Sequence, residues 1–242
     1  MISRISLLAA AMAALVAGQA VAAGPTCKAD SPTSLVPVIE LYTSEGCSSC
    51  PPADRWLSTL KQTAASGRAV VQAFHVGYWD YIGWVDRFAS PAYAQRQRDI
   101  AARNGLSNIY TPQLVRNGRD FKDYAQAIAG GEPARARIAL HRTADDAFEA
   151  TVSPVDGVGA WSAYWTVTEN GHSSKVKAGE NAGELLQHDF VVRQYVAAGD
   201  YRGESKLTLR TIPPLAGHPR QVNLVVFDPK SGRPLQALGL GC

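Results

Sequence analysis

Two hydrophobic rhythms divide the chain. Up to about residue 131, compact apolar runs alternate with segments whose apolar residues recur at helical spacing. The run Val36-Pro-Val-Ile-Glu-Leu-Tyr42 predicts a strand over 36–42. Pro37 belongs at its start, because it has no N–H for an interior ladder. A turn from Thr43 to Gly46 leads to Cys47-Ser-Ser-Cys50. Trp56, Leu57 and Leu60 then predict a helix, with Pro51 and Pro52 in its first turn, where a missing N–H costs little. Asp54 is an acid near the same helix end. Residues 69–76 form a second apolar strand, followed by an aromatic-rich loop from Gly77 to Ala89. Ser90-Pro91 and Asn104-Gly105 bracket a helix whose Arg96, Arg98 and Arg103 read as a solvated face. Thr111-Pro112 leads into a strand over 113–116, and Asn117-Gly118 is a two-residue hairpin turn. A short helix over about 121–129 ends at Gly130-Gly131. The first half therefore reads β-α-β-α-β-β-α.

From residue 135 the rhythm changes to short alternating strands. They are expected at 135–142, 147–153, 161–168, 188–196, 205–212, 221–228 and 234–240. Turn signals such as Asn170-Gly171 and Asp228-Pro229 separate several of them. The expected organisation is an α/β domain over 34–131 and an antiparallel β-sandwich-like module over 135–242.

Ahead of both lies a leader. Arg4 precedes an apolar stretch over residues 5–17, and Ala20-Val-Ala22 supplies small residues for cleavage. Residues 1–23 thus read as a signal peptide, and the apolar run is shorter than the roughly 20 residues of a spanning helix. Its removal predicts a periplasmic or secreted chain with no membrane span. Composition agrees with a globular protein: 46% of residues are hydrophobic and 19% charged, enough for a core without special staples. The formal charge is +3, and no run of Lys or Arg points to nucleic acid or an anionic membrane.

The compartment changes how the four cysteines are read. In an oxidising space an even count suggests disulfides. Cys47 pairs naturally with Cys50, and Cys27 with Cys242, since chain termini often lie close together. The rival reading leaves Cys27 or Cys242 as a free or intermolecular thiol.

A C-x-x-C opening a helix has specific chemistry. Unpaired N–H groups and the positive end of the helix dipole stabilise a thiolate there. Cys47, expected to be the more exposed, is the candidate nucleophile, and Cys50 the resolving thiol. Two other readings stay open: an inert disulfide, or half of a metal site. In a parallel βαβ unit both strands end at one sheet edge, which brings His75 and Trp79 near the pair. His75 is a candidate for tuning the thiolate, and Trp79 for lining a substrate groove. His141, His172, His188 and His218 are scattered over the β half and read as structural or exposed.

The stretch Val38-Ile-Glu-Leu-Tyr-Thr-Ser-Glu-Gly-Cys47-Ser-Ser-Cys50-Pro-Pro-Ala-Asp54 is similar to a family of exported thioredoxin-like proteins of unknown function. So are Phe74 to Trp84, Ser90-Pro91, Tyr110-Thr-Pro-Gln113, Gly179-Glu-Asn181 and His188-Asp189. The resemblance implies a thioredoxin-like fold for the α/β domain. It also implies a cis-proline loop at Thr111-Pro112, with Thr111 available to an extended substrate. Several residues depart from thioredoxin: Gly46 replaces a Trp, and Ser48-Ser49 replaces Gly-Pro. Glu40 lies seven residues before Cys47 rather than six, which puts it on the opposite strand face.

The expected function is a thiol–disulfide oxidoreductase acting on exported protein or small thiols, with a redox partner and no cofactor. One alternative is a copper-handling protein using Cys47, Cys50 and His75, since soft thiolates suit Cu(I). Another is a non-enzymatic binding module.

Overall fold

The computed structural model describes residues 27–242, and the predicted signal peptide lies outside them. The first half supplies β1 (Lys28–Asp30), β2 (Val38–Thr43), α1 (Cys50–Ser58), α2 (Lys61–Ala65), β3 (Val70–His75), α3 (Pro91–Arg103), β4 (Gln113–Arg116) and β5 (Arg119–Asp120). The second half is all strand: β6 (Ala136–Ala144), β7 (Ala147–Pro154), β8 (Ala160–Glu169), β9 (His172–Lys175), β10 (Leu185–His188), β11 (Val191–Arg202), β12 (Ser205–Arg210), β13 (Arg220–Phe227) and β14 (Pro234–Leu240). Among the described residues no helix is long and apolar enough to cross a membrane.

The expected α/β, thioredoxin-like fold class is wrong. Strand greatly outweighs helix, and the main sheet does not stop where the first half ends. It has eight strands in the order β14-β13-β8-β11-β3-β2-β4-β5. The joint is β11, which meets β3 in parallel at Val191–Ala73 and pairs β8 antiparallel along its length. Every residue of β3 is buried, with β2 on one side and β11 on the other. Alternation along each strand identifies the strands but carries no information about which distant edge a strand joins.

A second sheet, β1-β6-β7-β12, packs on the β-rich end of the first. Ile138, Leu140 and Val152 face Trp161, Trp165 and Leu224 in a sandwich core. At the other end the large sheet is covered on both faces. Ala53, Leu57 and Leu60 of the α1–α2 segment pack on Ile39, Leu41 and Val71. On the opposite face Tyr93 and Ile100 of α3 pack with Tyr42 and Phe74. Burial on both faces explains why β2 and β3 read as unbroken apolar runs rather than alternating ones.

Two local expectations also change. The segment 121–129 forms only a 3₁₀ turn, Tyr124–Gln126, capped by Asp123. Arg96 is not solvated: its guanidinium grips the buried Glu40 at 2.7 and 3.0 Å and lies 4.0 Å over the Tyr164 ring. Glu40 also accepts the hydroxyls of Tyr42 (2.8 Å) and Tyr164 (3.0 Å). It belongs to the α3 face of β2, as its odd offset from Cys47 implies.

Candidate functional site

β2 and β3 run parallel, with Thr43 opposite His75, so both strands deliver the chain to one edge. There the Cys47 N–H donates to Ser44 O (3.2 Å) and the Cys50 N–H to Cys47 O (3.2 Å). These bonds close the chain into a tight turn that becomes α1. Cys47 and Cys50 are disulfide-bonded, their Cα atoms 5.4 Å apart. Pro51 and Pro52 occupy the first turn, as the sequence predicts, and the cap residue Ser49 makes no side-chain capping bond. Contrary to expectation, Cys47 is as hidden as its partner, at 1% and 0% exposure, while Ser48 and Ser49 are exposed.

Trp79 packs against the residue before Cys47. A Cβ on Gly46 would stand 2.8 Å from the Trp79 Cβ, so only glycine permits this approach. The Trp79 indole N–H donates to Thr111 Oγ1 (2.8 Å), and the Thr111–Pro112 peptide is cis. Trp79, Thr111 and the turn around Cys47 therefore form one connected group.

Beneath it lies a buried set of charges. His75 Nδ1 sits 2.7 Å from Asp86 Oδ2, an oxygen that also accepts the Glu45 N–H (2.9 Å). Glu45 in turn meets His188 Nε2 (3.1 Å) and accepts the Trp84 indole N–H (2.6 Å). The rings of His75 and His188 stand edge to face, centroids 4.9 Å apart. His75 Nε2 and His188 Nδ1 are buried without a partner. Asp54 is buried on α1 and accepts the Thr43 hydroxyl (3.1 Å).

These environments move the titrations in opposite directions. Burial would lower the His75 pKa, but the Asp86 carboxylate outweighs it and the net shift is upward. Burial would raise Asp86, and His75 outweighs that, so Asp86 is lowered. Glu45 is lowered too: burial would raise it, and the hydrogen bonds it receives, that from His188 first and that from Trp84 among the others, together outweigh burial. Asp54 is raised by burial, with His188 and His75 only partly offsetting it.

A third element reaches the site from the loop between β9 and β10. Asn181 Nδ2 donates to both Glu45 O (2.8 Å) and Cys47 O (3.0 Å). Glu180 Oε2 accepts the Ser48 N–H at 2.9 Å.

The structure thus gathers Cys47, Cys50, His75, Trp79, Thr111 and Pro112 at one sheet edge. It adds Glu45, Asp54, Asp86, Glu180, Asn181 and His188, to which sequence reasoning gave no role at the pair. Glu180, Asn181 and His188 stood within motifs already singled out, whereas Asp86 carried no signal at all. Cys27 and Cys242 form a second disulfide, outside this group, joining the residue before β1 to the second residue past β14. Two disulfides fit an exported protein. Among the described residues, no three His, Cys, Asp or Glu side chains are grouped so as to hold a metal ion.

Comparison with known proteins places the chain without naming its chemistry. A crystal structure of a protein from Agrobacterium tumefaciens, determined by structural genomics, is similar over 86% of this chain and 94% of that one. The two are 25% identical, with a TM-score of 0.67. A domain of the outer membrane lipoprotein Omp28 from Porphyromonas gingivalis aligns over 44% of this chain and 87% of its own, at 13% identity and a TM-score of 0.24. No curated protein matches. A family model matches residues 38–227, from the start of β2 to the end of β13, so the chain belongs to DUF1223, a family of proteins of unknown function.

Proposed function

We propose that this protein is a thiol–disulfide oxidoreductase of the periplasm or the secreted space, acting on protein or small-molecule thiols through Cys47 and Cys50. The observation that carries the reading is the Cys47–Cys50 disulfide, which closes the turn at the N-terminus of α1, where the positive end of the helix dipole favours a thiolate. In the reduced form the Cys47 thiolate attacks one sulfur of a partner disulfide. A mixed disulfide forms and the first partner thiolate leaves. The Cys50 thiolate then attacks the Cys47 sulfur, restoring the 47–50 bond and releasing the second partner thiolate. Two electrons pass from the dithiol to the partner, and the reverse sequence oxidises partner thiols. Trp79, Thr111 and Pro112 are the nearest candidates for contact with that partner, and His75 acts on the pair through the buried charges.

Burial favours a second reading. A Cys47 exposed by only 1% suits a structural bridge unless the Trp79 segment yields to substrate. A copper site on Cys47, Cys50 and His75 has less support, because the two sulfurs are bonded to each other and, among the described residues, no three His, Cys, Asp or Glu side chains are grouped so as to hold a metal ion.

Trapping separates these readings. A Cys50→Ser variant expressed in cells is expected to accumulate mixed disulfides on Cys47, released by reductant. No adducts, together with a wild-type 47–50 bridge that resists mild reductant, would leave the inert bridge as the correct reading.

A further inference from the structure

Glu180 and Asn181 of the Gly179-Glu-Asn181 motif lie 132 and 134 residues from Ser48 and Cys47 in sequence, yet they touch them. We propose that Glu180 and Asn181 are positioning residues of the Cys47–Cys50 couple, with Asn181 holding the turn and Glu180 biasing it toward the disulfide. This inference rests on the redox reading above.

Asn181 is buried, and its amide bridges the carbonyls of Glu45 and Cys47. One side chain thereby fixes the backbone on both sides of Gly46, where Trp79 leaves no room for a Cβ. Glu180 acts by charge. A thiolate at the first cysteine of such a turn draws stabilisation from the N–H groups that follow it. Ser48 carries the first of these, and it already donates to the Glu180 carboxylate. A Cys47 thiolate then meets an occupied donor and a negative charge beside it. Destabilising the thiolate disfavours the dithiol, so the couple becomes more reducing.

The neighbouring carboxylates do not share this role. Glu45 is taken by Trp84 and His188, Asp86 by His75, and Asp54 by Thr43. Glu180 alone of the four reaches the turn from the solvent side, where its charge is removable without leaving a buried orphan.

The couple is oxidised or reduced against glutathione: the protein disulfide plus two reduced glutathione molecules gives the dithiol plus glutathione disulfide. Full-length wild type and Glu180→Gln are equilibrated in glutathione buffers of graded ratio, and the fraction reduced is read by alkylation of free thiols. Glutamine keeps an acceptor for Ser48 and removes only the charge. The expected result is an equilibrium shifted about fivefold toward the dithiol, which is about 20 mV for a two-electron couple. The shift should shrink as salt rises from about 0.01 M to 1 M. Titration of the reduced proteins should show the Cys47 thiol ionising at lower pH in the variant. Asn181→Ala tests the second contact, and faster reduction of its 47–50 bond by dithiothreitol at unchanged far-ultraviolet dichroism is expected. Unchanged potential, thiol titration and salt response in Glu180→Gln overturn the charge role, while unchanged reduction kinetics in Asn181→Ala overturn the holding role. If the wild-type bond does not exchange with glutathione at all, the redox reading itself fails and this inference falls with it.

Discussion

His75 and Asp86 illustrate what a single buried pair contributes. Their contact is 2.7 Å, and both side chains are essentially inaccessible. The sign of each shift sets the pH window. His75 is raised, so its share of stability is fully present below the ordinary imidazole value of about 6.5 and is lost as pH rises through the raised folded value. Asp86 is lowered, so its share is present above about 3.9 and is lost as pH falls through the lowered folded value. Between these limits the pair stabilises the sheet edge under the cysteines. Asp86→Asn removes the strongest of the charges that raise His75 and leaves only the more distant Asp54 and Glu45 to oppose burial. The fall in wild-type melting temperature above about pH 6.5 should therefore shrink or flatten in the variant. Thermal melts from pH 5 to 9 check this, and superimposable slopes would exclude the pair as their cause. At this scale the sequence revealed what is local: the C-x-x-C, its prolines, Trp79 and Thr111-Pro112. Glu45 and His188 are 143 residues apart, and neither carries a sign of the other. Arg96 misleads for the same reason, since its partner Glu40 lies 56 residues away on another element.

Elements were legible wherever caps and turns carried the signal. Ser90 accepts the Ala92 N–H as an N-cap, Asn104 closes α3, and Gly105 follows at φ +67°. β4 spans the predicted residues, and Asn117 and Gly118 turn its hairpin at φ +49° and +75°. The segment 121–129 failed because a tertiary contact won over propensity. The Phe121 N–H donates to Leu114 O of β4 (2.9 Å), and the Arg116 guanidinium holds the carbonyl oxygens of Ala127 (2.8 Å) and Ala129, so both ends of the segment are tied to β4. Gly118 does more than turn the hairpin. A Cβ there would run into the carbonyl oxygen of Gly232, in the turn between β13 and β14, so two hairpins from opposite ends of the large sheet's strand order meet at this point. Gly105 has a similar φ with nothing within 4 Å, and it serves as the control. Gly105→Ala should cost about 1 kcal/mol from conformation alone. Gly118→Ala should cost about 2–3 kcal/mol or more, because strain and collision add. Urea midpoints measure both, and equal costs would show that the Gly232 contact does not constrain the turn.

At the scale of the molecule, the β-rich module was expected beside an α/β domain, and strand-by-strand its members are largely where the alternation put them. The architecture differs because β11 joins β3, which merges both halves into one sheet and leaves β1, β6, β7 and β12 as the second layer. Such pairings depend on distant edges, and no local pattern encodes them. The bridge between Cys27 and Cys242 then acquires a structural meaning. Cys27 precedes β1 in the small sheet, and Cys242 follows β14 at the end of the large one, so a single bond ties the two layers at their edge. The bridge spans 215 positions, and closing so long a loop in the unfolded chain is worth about 5 kcal/mol in the chain-entropy model. The Cys47–Cys50 bridge spans 3, for which the same relation gives about 2 kcal/mol. A Cys27→Ala/Cys242→Ala double variant should therefore lose about 3–4 kcal/mol more than Cys47→Ala/Cys50→Ala. Urea unfolding of both variants, each with its remaining bridge oxidised, measures the difference. Equal losses would mean that the terminal bond does not act by restraining the unfolded chain. The expected asymmetry makes the long bridge the main covalent stabiliser of the fold, whereas opening the short one, as the proposed exchange requires, would cost little stability.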